Sequence, residues 1–275
     1  MKLRELASLE RYRYSLILLK QLVKTEFKLR YQGSVLGYVW SLLKPTALFA
    51  ILYVVFSLFL RIGDNIPNFP LYLLLGIVLW NYFAEVSVTS VGSIVNRGDI
   101  LRKLNFPRYV IVLATSFSAL INLALNMLVV VVFIIVTDIS IGISALWLPL
   151  LLIQLFVFSL AVSFILSAAF VRFRDINYIW EVFMQAAFYA TPILYPVSFI
   201  IDYSYTAAQA LMLSPMSQMI QDFRYILVTE EATRIDQMFV SGHWARVVPI
   251  GLTVLLAIIS ALYFRRRSKT FAEYI

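Results

Sequence analysis

The sequence predicts an all-α polytopic membrane protein with six transmembrane helices. Hydrophobic residues make up 61% of the 275-residue chain and charged residues only 14%, against roughly 45–50% and about 25% in soluble domains. Mean hydropathy is +0.85. The apolar residues are gathered in stretches of about 20, the length that crosses the hydrocarbon core of a bilayer. A fold in water could not bury this much apolar surface, so lipid surrounds most of the chain.

Six apolar stretches qualify as spans, and short segments separate most of them. They are residues 35–60, 69–95, 109–136, 145–171, 176–196 and 246–264. The predicted organisation is therefore a cytoplasmic amphipathic segment at 1–34, a six-span domain at 35–264 and a cytoplasmic tail at 265–275.

The basic residues lie on one side of this arrangement. Residues 1–34, the loops 96–108 and 172–175, the tail and Lys44 together hold 19 of the 23 Lys and Arg residues, but only 6 of the 15 acids. The positive-inside rule then places both termini in the cytoplasm. We expect the protein in the plasma (cell inner) membrane. The net charge of +8 reflects this topology, and no nucleic-acid partner is expected.

Residues 1–34 are predicted to form an amphipathic helix in the cytoplasmic interface. Leu16, Leu19, Val23 and Phe27 recur at helical spacing, which indicates one apolar stripe. A parallel stripe of lysines would lie near anionic lipid headgroups; its members are Lys20, Lys24 and Lys28. The alternative is a solvated helix packed on a partner domain.

The cytoplasmic loop 97–108, RGDILRKLNFPR, is predicted to be a short helix that docks on another protein. Asp99 is a favoured helix cap, and Pro107 ends the turn. A loop that serves only as topogenic charge would explain the basic residues but not the leucines between them. The residues expected to couple to the partner are Asp99, Ile100, Leu101, Arg102, Lys103, Leu104, Phe106, Pro107 and Arg108.

The fifth span is interrupted by TPILYP, and the outer-side region 190–245 follows it. Pro192 and Pro196 lie four residues apart in an apolar segment, a pattern that favours a re-entrant hairpin over a frayed span end with a loop. Two further short helices are predicted at 207–213 and 216–227.

Motifs for catalysis are missing from the sequence. It contains no G-x-x-x-x-G-K-[ST], G-x-S-x-G or H-E-x-x-H, no cysteine and a single histidine. We therefore expect neither an enzyme nor a metal or cofactor in this chain. Two carboxylates, Glu85 and Glu181, fall in apolar surroundings and are functional candidates. For Glu85, a structural hydrogen bond or a cavity-facing position is favoured over a proton relay.

Aromatic residues make up 15% of the chain. Many are expected at the membrane interfaces, but some lie deep in the predicted spans. Aromatic rings stack on the C–H faces of sugars without hydrogen bonds that would hinder movement, which suits a path for a long glycan. The candidates are Tyr38, Trp40, Tyr53, Phe56, Phe59, Trp80, Tyr82 and Tyr189.

Seven sequence motifs, in their order along the chain, resemble those of a known protein family. They are the basic N-terminal helix, RYQGSVLGYVWSLLKP, FPLYLLLGIVLWNYF, ILRKLNFPR, VRFRDINYIWEVFMQAAFYATPILYP, LSPMSQMIQDFR and FAEYI. The chain resembles, end to end, the type-2 ABC exporter permeases that move polysaccharides such as O-antigen, teichoic acid and capsule. The stretch 222–244 is the least family-like part.

The resemblance implies a homodimer that engages two copies of a separate ABC ATPase, which binds the ATP and Mg. It also implies that F-P-R belongs to the coupling helix, and that the cargo is a polysaccharide on a polyprenyl pyrophosphate carrier. Arg30 and Lys44, at the start of the first span, are candidates for the pyrophosphate.

Rival functions share parts of this evidence. An exporter of teichoic acid, capsule, a smaller lipid or a drug would have the same fold and partner. A proton-coupled carrier would need Glu85 or Glu181 and no ATP. A membrane glycosyltransferase would need an acid–base or metal constellation and a large catalytic loop, which the sequence lacks.

Overall fold

The structure is a computed structural model that describes residues 2–99, 106–240 and 242–271. Every regular element within those residues is helical. Five helices are long and apolar enough to cross a membrane: Trp40–Phe59, Phe69–Val91, Tyr109–Val136, Ile143–Phe170 and Trp244–Arg267. The chain is therefore an all-α, multi-pass membrane protein, as the sequence predicts.

We number the α-helices in chain order. They are α1 Lys2–Tyr31, α2 Trp40–Tyr53, α3 Phe69–Val91, α4 Tyr109–Val136, α5 Leu148–Phe170, α6 Ile176–Ala190, α7 Val197–Tyr203, α8 Tyr205–Met212, α9 Pro215–Leu227, α10 Ile235–Met238 and α11 Val247–Arg267. A π-helix, Val54–Phe59, continues α2, and short 3₁₀ turns, Ile143–Trp147 and Gly242–Arg246, lead into α5 and α11.

The helix α3 lies at the centre of the fold. It packs against α2, α4, α5, α6 and α9, and side chains on every face of its first half are buried, including Leu73, Leu75 and Ile77. A helix that is apolar all round is suited to such a position. The other long helices bury only part of their surface within one copy.

The predicted fifth span, 176–196, is shorter in the structure. Helix α6 has 15 residues, about 22 Å at 1.5 Å per residue, against a hydrocarbon core of about 30 Å. The backbone changes from a helical to an extended conformation at Thr191, whose ψ angle is 137°. Pro192 explains this turn, because proline disfavours the helical conformation of the residue before it. The chain then folds into α7, α8 and α9, of which α8 and α9 match the two predicted short helices.

The N-terminal helix α1 packs against α4. Leu18, Leu19 and Leu22 contact a small core formed by Phe106, Val110 and Ile111. Three of the four residues of the predicted apolar stripe, Leu19, Val23 and Phe27, are half-buried, whereas Leu16 is exposed. The packed face also includes Leu18 and Leu22, which lie beside that stripe.

Candidate functional site

A cleft of about 620 Å³ lies between α2, α3 and α4. Apolar side chains form most of its walls, and polar groups from all three helices open into it. These include Ser41 and Lys44 on α2, Asn81 and Glu85 on α3, and Asn122 and Asn126 on α4. Since a lipid-facing surface would exclude such groups, the cleft is the candidate site of the bundle.

Hydrogen bonds hold the polar wall of this cleft in place. The Asn122 side-chain amide donates to Glu85 Oε1 at 2.8 Å. The Asn126 amide donates to the Asn122 carbonyl at 2.8 Å and to the Ser41 carbonyl at 3.3 Å. Asn122 and Asn126 are four residues apart and therefore lie on one face of α4. The network ties α2, α3 and α4 together and fixes the position of the Glu85 carboxylate.

The cleft brings together four of the residues singled out from the sequence: Trp40, Lys44, Tyr82 and Glu85. Lys44 and Trp40 are exposed. Tyr82 is buried, and its hydroxyl has no hydrogen-bond partner. Two groups predicted for different roles, a pyrophosphate ligand and a glycan path, thus share one site.

The remaining candidates lie elsewhere. Trp80 is buried against Phe83 and Phe188, and Tyr53 and Phe56 pack against the main core. Phe59 and Tyr189 are exposed. Glu181 is exposed on α6. The side chains of Arg30 and Tyr38 lie outside the described residues.

The predicted coupling loop is described at both ends. Gly98 and Asp99 are helical, and residues 100–105, which include Ile100, Leu101, Arg102, Lys103 and Leu104, lie outside the described part of the chain. At the near end Arg97 forms an ion pair with Glu26 of α1. At the far end Phe106 packs on α1, and the Arg108 guanidinium lies 5.7 Å from the Phe271 ring centroid. Both ends of the loop are thereby anchored, one to α1 and the other to α1 and the C-terminal segment.

A fully buried arginine lies next to the break after α6. Arg224, on α9, donates from Nη1 to the Pro192 carbonyl and from Nη2 to the Ile193 carbonyl, both at 2.6 Å. Its Nε donates to the Tyr72 carbonyl at 3.1 Å. The carbonyls that follow a helix end have no partners within that helix. Arg224 supplies partners for two of them and joins the break to α3.

The packing around Arg224 leaves no spare room. Its guanidinium carbon lies 3.5 Å from the centroid of the Tyr72 ring. A Cβ atom at Gly76 would come within 2.6 Å of Nη2, so glycine is required for this approach. Arginine is effectively always protonated in proteins, so this buried side chain carries its charge.

A second polar network lies between α5, α9 and α11. Gln154 donates to Gln218 at 2.7 Å, and Gln218 donates to Asp222 at 2.5 Å. Arg246 joins Asp222 to Asp236 at 3.4 and 3.3 Å. Arg234 also pairs with Asp236, at 3.1 Å, so two arginines balance two aspartates. Most of these groups line a cavity of about 550 Å³, and the network holds the hairpin region against the bundle.

Sequence reasoning missed both Arg224 and the second network, since it assigned no role to 222–244. One signal was available. Arg224 lies beside the apolar residues Ile220, Phe223 and Ile226 in a segment predicted to re-enter the membrane, and an ionisable side chain in such a place is a functional or structural candidate by default. Among the described residues, no group of three or more His, Cys, Asp or Glu side chains could hold a metal ion.

The chain is similar to known membrane proteins over most of its length. The profile of the ABC-2 type transporter family matches residues 17–228. An O-antigen export system permease protein RfbA of Myxococcus xanthus is 30% identical over 97% of this chain and 98% of its own length. Two proteins of the same name from Klebsiella pneumoniae are each 28% identical, over 95% and 87% of this chain and 96% and 92% of their own lengths.

Proposed function

The chain belongs to the ABC-2 type transporter family, and we propose that it is the membrane permease subunit of an ATP-driven exporter for an O-antigen-like polysaccharide. The observation that carries the proposal is the similarity to an O-antigen export permease over 97% of this chain and 98% of that protein. The matched region includes the helices around the cleft, the break after α6 and the hairpin region. The two chains are therefore similar over the whole membrane domain.

We propose that the cargo is attached to a polyprenyl pyrophosphate and enters from the cytoplasmic side. Lys44 and Arg30 lie at the start of the first span, where a basic side chain offsets part of the cost of bringing a pyrophosphate into lipid. The exposed aromatic candidates, Trp40 in the cleft and Phe59 and Tyr189 outside it, would offer stacking surfaces to the glycan. Teichoic acid, capsule, or a smaller lipid or drug are the alternative cargoes.

The proposed topology has six passes with both termini in the cytoplasm of a plasma (cell inner) membrane. The broken segment formed by α6 and the α7–α9 hairpin would be the fifth pass, with the hairpin re-entering from the outer side. Helix α6 supports this arrangement, because it exposes a row of apolar and aromatic side chains that one copy leaves uncovered. These are Tyr178, Ile179, Val182, Phe183 and Tyr189. Two copies would enclose the path between their first and fifth spans.

The driving force would come from a separate ABC ATPase, present in two copies, which binds ATP and Mg. Residues 97–108 would form the coupling helix in a groove of that ATPase, and α1 would lie in the cytoplasmic interface beside it. The anchored ends of the loop support this role, since a loop fixed to α1 and α4 can transmit a displacement to the bundle. This chain contributes no cofactor of its own.

The test is export in cells combined with crosslinking to the ATPase. The chain has no cysteine, so a single cysteine at Leu101 or Leu104 can be paired with single cysteines on the ATPase encoded beside it. We expect a crosslink that changes with ATP, and loss of surface polysaccharide when the gene for this chain is deleted. A cysteine at Asp138, in an outer loop, is the matched control and should not crosslink.

Other outcomes assign the protein differently. Intact surface polysaccharide after deletion would reject the cargo. Absence of any crosslink from residues 97–108 in folded, inserted protein would reject the coupling segment. Transport that continues without the ATPase and stops with a protonophore would favour the proton-coupled carrier, with Glu85 or Glu181 as its relay.

A further inference from the structure

We propose that the cleft between α2, α3 and α4 binds the sugar ring next to the pyrophosphate, and so recognises the first sugar of the cargo. The inference rests on the proposed function and deepens it: the permease would select a glycosylated lipid over the bare lipid carrier. Three features of the cleft support a sugar as occupant, namely its hydrogen-bonding groups, its aromatic walls and the position of its one cation.

The polar wall has the composition that hydroxyl groups require. A carboxylate accepts hydrogen bonds and a side-chain amide both donates and accepts, so the two together can bind neighbouring hydroxyls of one ring. Glu85 supplies the carboxylate, and Asn81, Asn122 and Asn126 supply amides. The wall is held in place before any ligand arrives, by the Asn122–Glu85 bond and by the Asn126–Ser41 bond. Such preorganisation lowers the entropic cost of binding.

Aromatic side chains meet this wall. Trp40 and Tyr82 both line the cleft, and the face of an aromatic ring attracts the weakly positive C–H groups of a sugar face. The Tyr82 hydroxyl is buried without a hydrogen-bond partner. A buried unpaired hydroxyl is destabilising, and a ligand hydroxyl would remove that deficit. The exposed Trp40 face and the Tyr82 hydroxyl together favour a ring that is apolar on its face and polar on its edge.

The charges in the cleft favour a sugar over a phosphate group as the occupant beside Glu85. Lys44 lies in the second turn of α2 and is exposed, whereas Glu85 lies in α3, more than one turn before its end. A phosphate at Glu85 would meet a carboxylate of its own sign, while a phosphate at Lys44 would meet an ammonium group. A lipid-linked sugar satisfies both groups, with its pyrophosphate at Lys44 and its neutral ring at Glu85. The volume, about 620 Å³, lies in the ordinary range of small-molecule sites.

The test compares two soluble probes on the purified complex of the full permease with its ATPase, reconstituted in nanodiscs. One probe is a short-chain isoprenyl pyrophosphate, and the other is the same lipid with one hexose on the terminal phosphate. Isothermal titration gives both dissociation constants. We expect the hexose-bearing probe to bind about tenfold more tightly, the factor for one or two additional hydrogen bonds.

Two variants test the assignment of the wall. Glu85→Gln replaces the carboxylate with an amide of the same shape. Tyr82→Phe removes only a hydroxyl that has no protein partner, so folding is not weakened. Both should reduce the preference for the hexose-bearing probe to about twofold or less. Lys44→Gln should weaken both probes equally, because both carry the pyrophosphate. Asn177→Leu, at a half-buried amide on α6 outside the cleft, is the matched control and should keep the preference.

The results overturn the proposal in three cases: neither probe binds, the two bind equally, or the preference survives in both Glu85→Gln and Tyr82→Phe. The export assay separates this failure from failure of the proposed function. Intact ATP-dependent export with no hexose preference rejects the cleft alone. If the protein prefers the hexose-bearing probe but its deletion leaves surface polysaccharide unchanged, the proposed cargo is rejected. The cleft is then a glycolipid site.

Discussion

A buried arginine needs hydrogen-bond partners for its guanidinium nitrogens, and each of the three nitrogens of Arg224 donates to a backbone oxygen. The carbonyls of Tyr72, Pro192 and Ile193 accept its hydrogen bonds. These acceptors are neutral, so they do not offset the positive charge of the guanidinium. Its position is set by the directions of its hydrogen bonds. The residue therefore acts as a structural bracket between α3, α9 and the break after α6.

Arg224→Ala is expected to destabilise the fold by about 3–5 kcal/mol, since it removes the donors to the buried Pro192 and Ile193 carbonyls and opens a cavity. The midpoint of thermal unfolding in detergent should fall by roughly 10 °C. Arg224→Lys should have a smaller effect, because an ammonium group keeps the charge but cannot reach all three acceptors. Arg266→Ala, at an exposed arginine of α11, is the control. An unchanged midpoint in Arg224→Ala would show that the bracket is dispensable.

Gly76→Ala tests the same bracket from the opposite helix. The added methyl would stand 2.6 Å from Arg224 Nη2 and 3.3 Å from the Ile193 carbonyl oxygen, so the guanidinium must leave its acceptors. We expect a loss of stability of about 2 kcal/mol or more. The double variant with Arg224→Ala should lose less than the sum of the two, since both changes disrupt one set of contacts. Gly251→Ala, in the middle of α11 with open space around it, should be neutral or slightly stabilising.

At the scale of elements, the ion pair between Arg97 and Glu26 connects α1 to the start of the coupling loop. Glu26→Arg and Arg97→Glu each place two like charges together. Each should reduce ATP-dependent export about fivefold or more, the factor for about 1 kcal/mol. The double exchange restores opposite charges and should recover part of the activity. Thr25→Arg, exposed and adjacent on α1, is the control. Equal export in the single and double exchanges would show that the pair does not contribute to coupling.

Elements differ in how well the sequence alone predicts them. Hydropathy located α3, α4, α5 and α11, because lipid requires long apolar helices and nothing else in the sequence imitates them. The paired prolines predicted the break after α6 because their effect on the backbone is local. The additional helix α7 was not predicted, since a seven-residue apolar helix has no distinct periodicity.

Sites that depend on long-range contacts were predicted only as separate residues. Trp40, Lys44, Tyr82 and Glu85 were each singled out, but only the packing of α2 on α3 and α4 shows that they share a cleft. Arg224 was missed because its acceptors are backbone oxygens, one of them 152 residues away. Backbone oxygens occur at every residue, so no sequence pattern could identify these three.

At the scale of the whole molecule, one copy leaves large apolar surfaces on two helices that pack against α3. Helix α2 exposes Ile51, and its π-helical continuation exposes Leu58. Helix α6 exposes Tyr178 and Val182. Lipid can cover such surfaces, but a path for a polymer needs walls on all sides. The proposed dimer would place α2 of one copy beside α6 of the other.

This arrangement can be tested with cysteines introduced into the cysteine-free chain. Ile51 and Ala186 are exposed and lie eleven and ten residues from the starts of α2 and α6. The proposed topology puts both starts on the cytoplasmic side, so the two residues would share a depth of about 15 Å. Ile51→Cys and Ala186→Cys, on two differently tagged copies, should form a crosslink between copies. Ile258→Cys on α11 is exposed at a similar depth and should give none with Ile51→Cys. The reverse pattern would place α11 at the interface and α6 in lipid, and the path would then have to run outside the two copies, where nothing would shield a hydrated glycan from the bilayer.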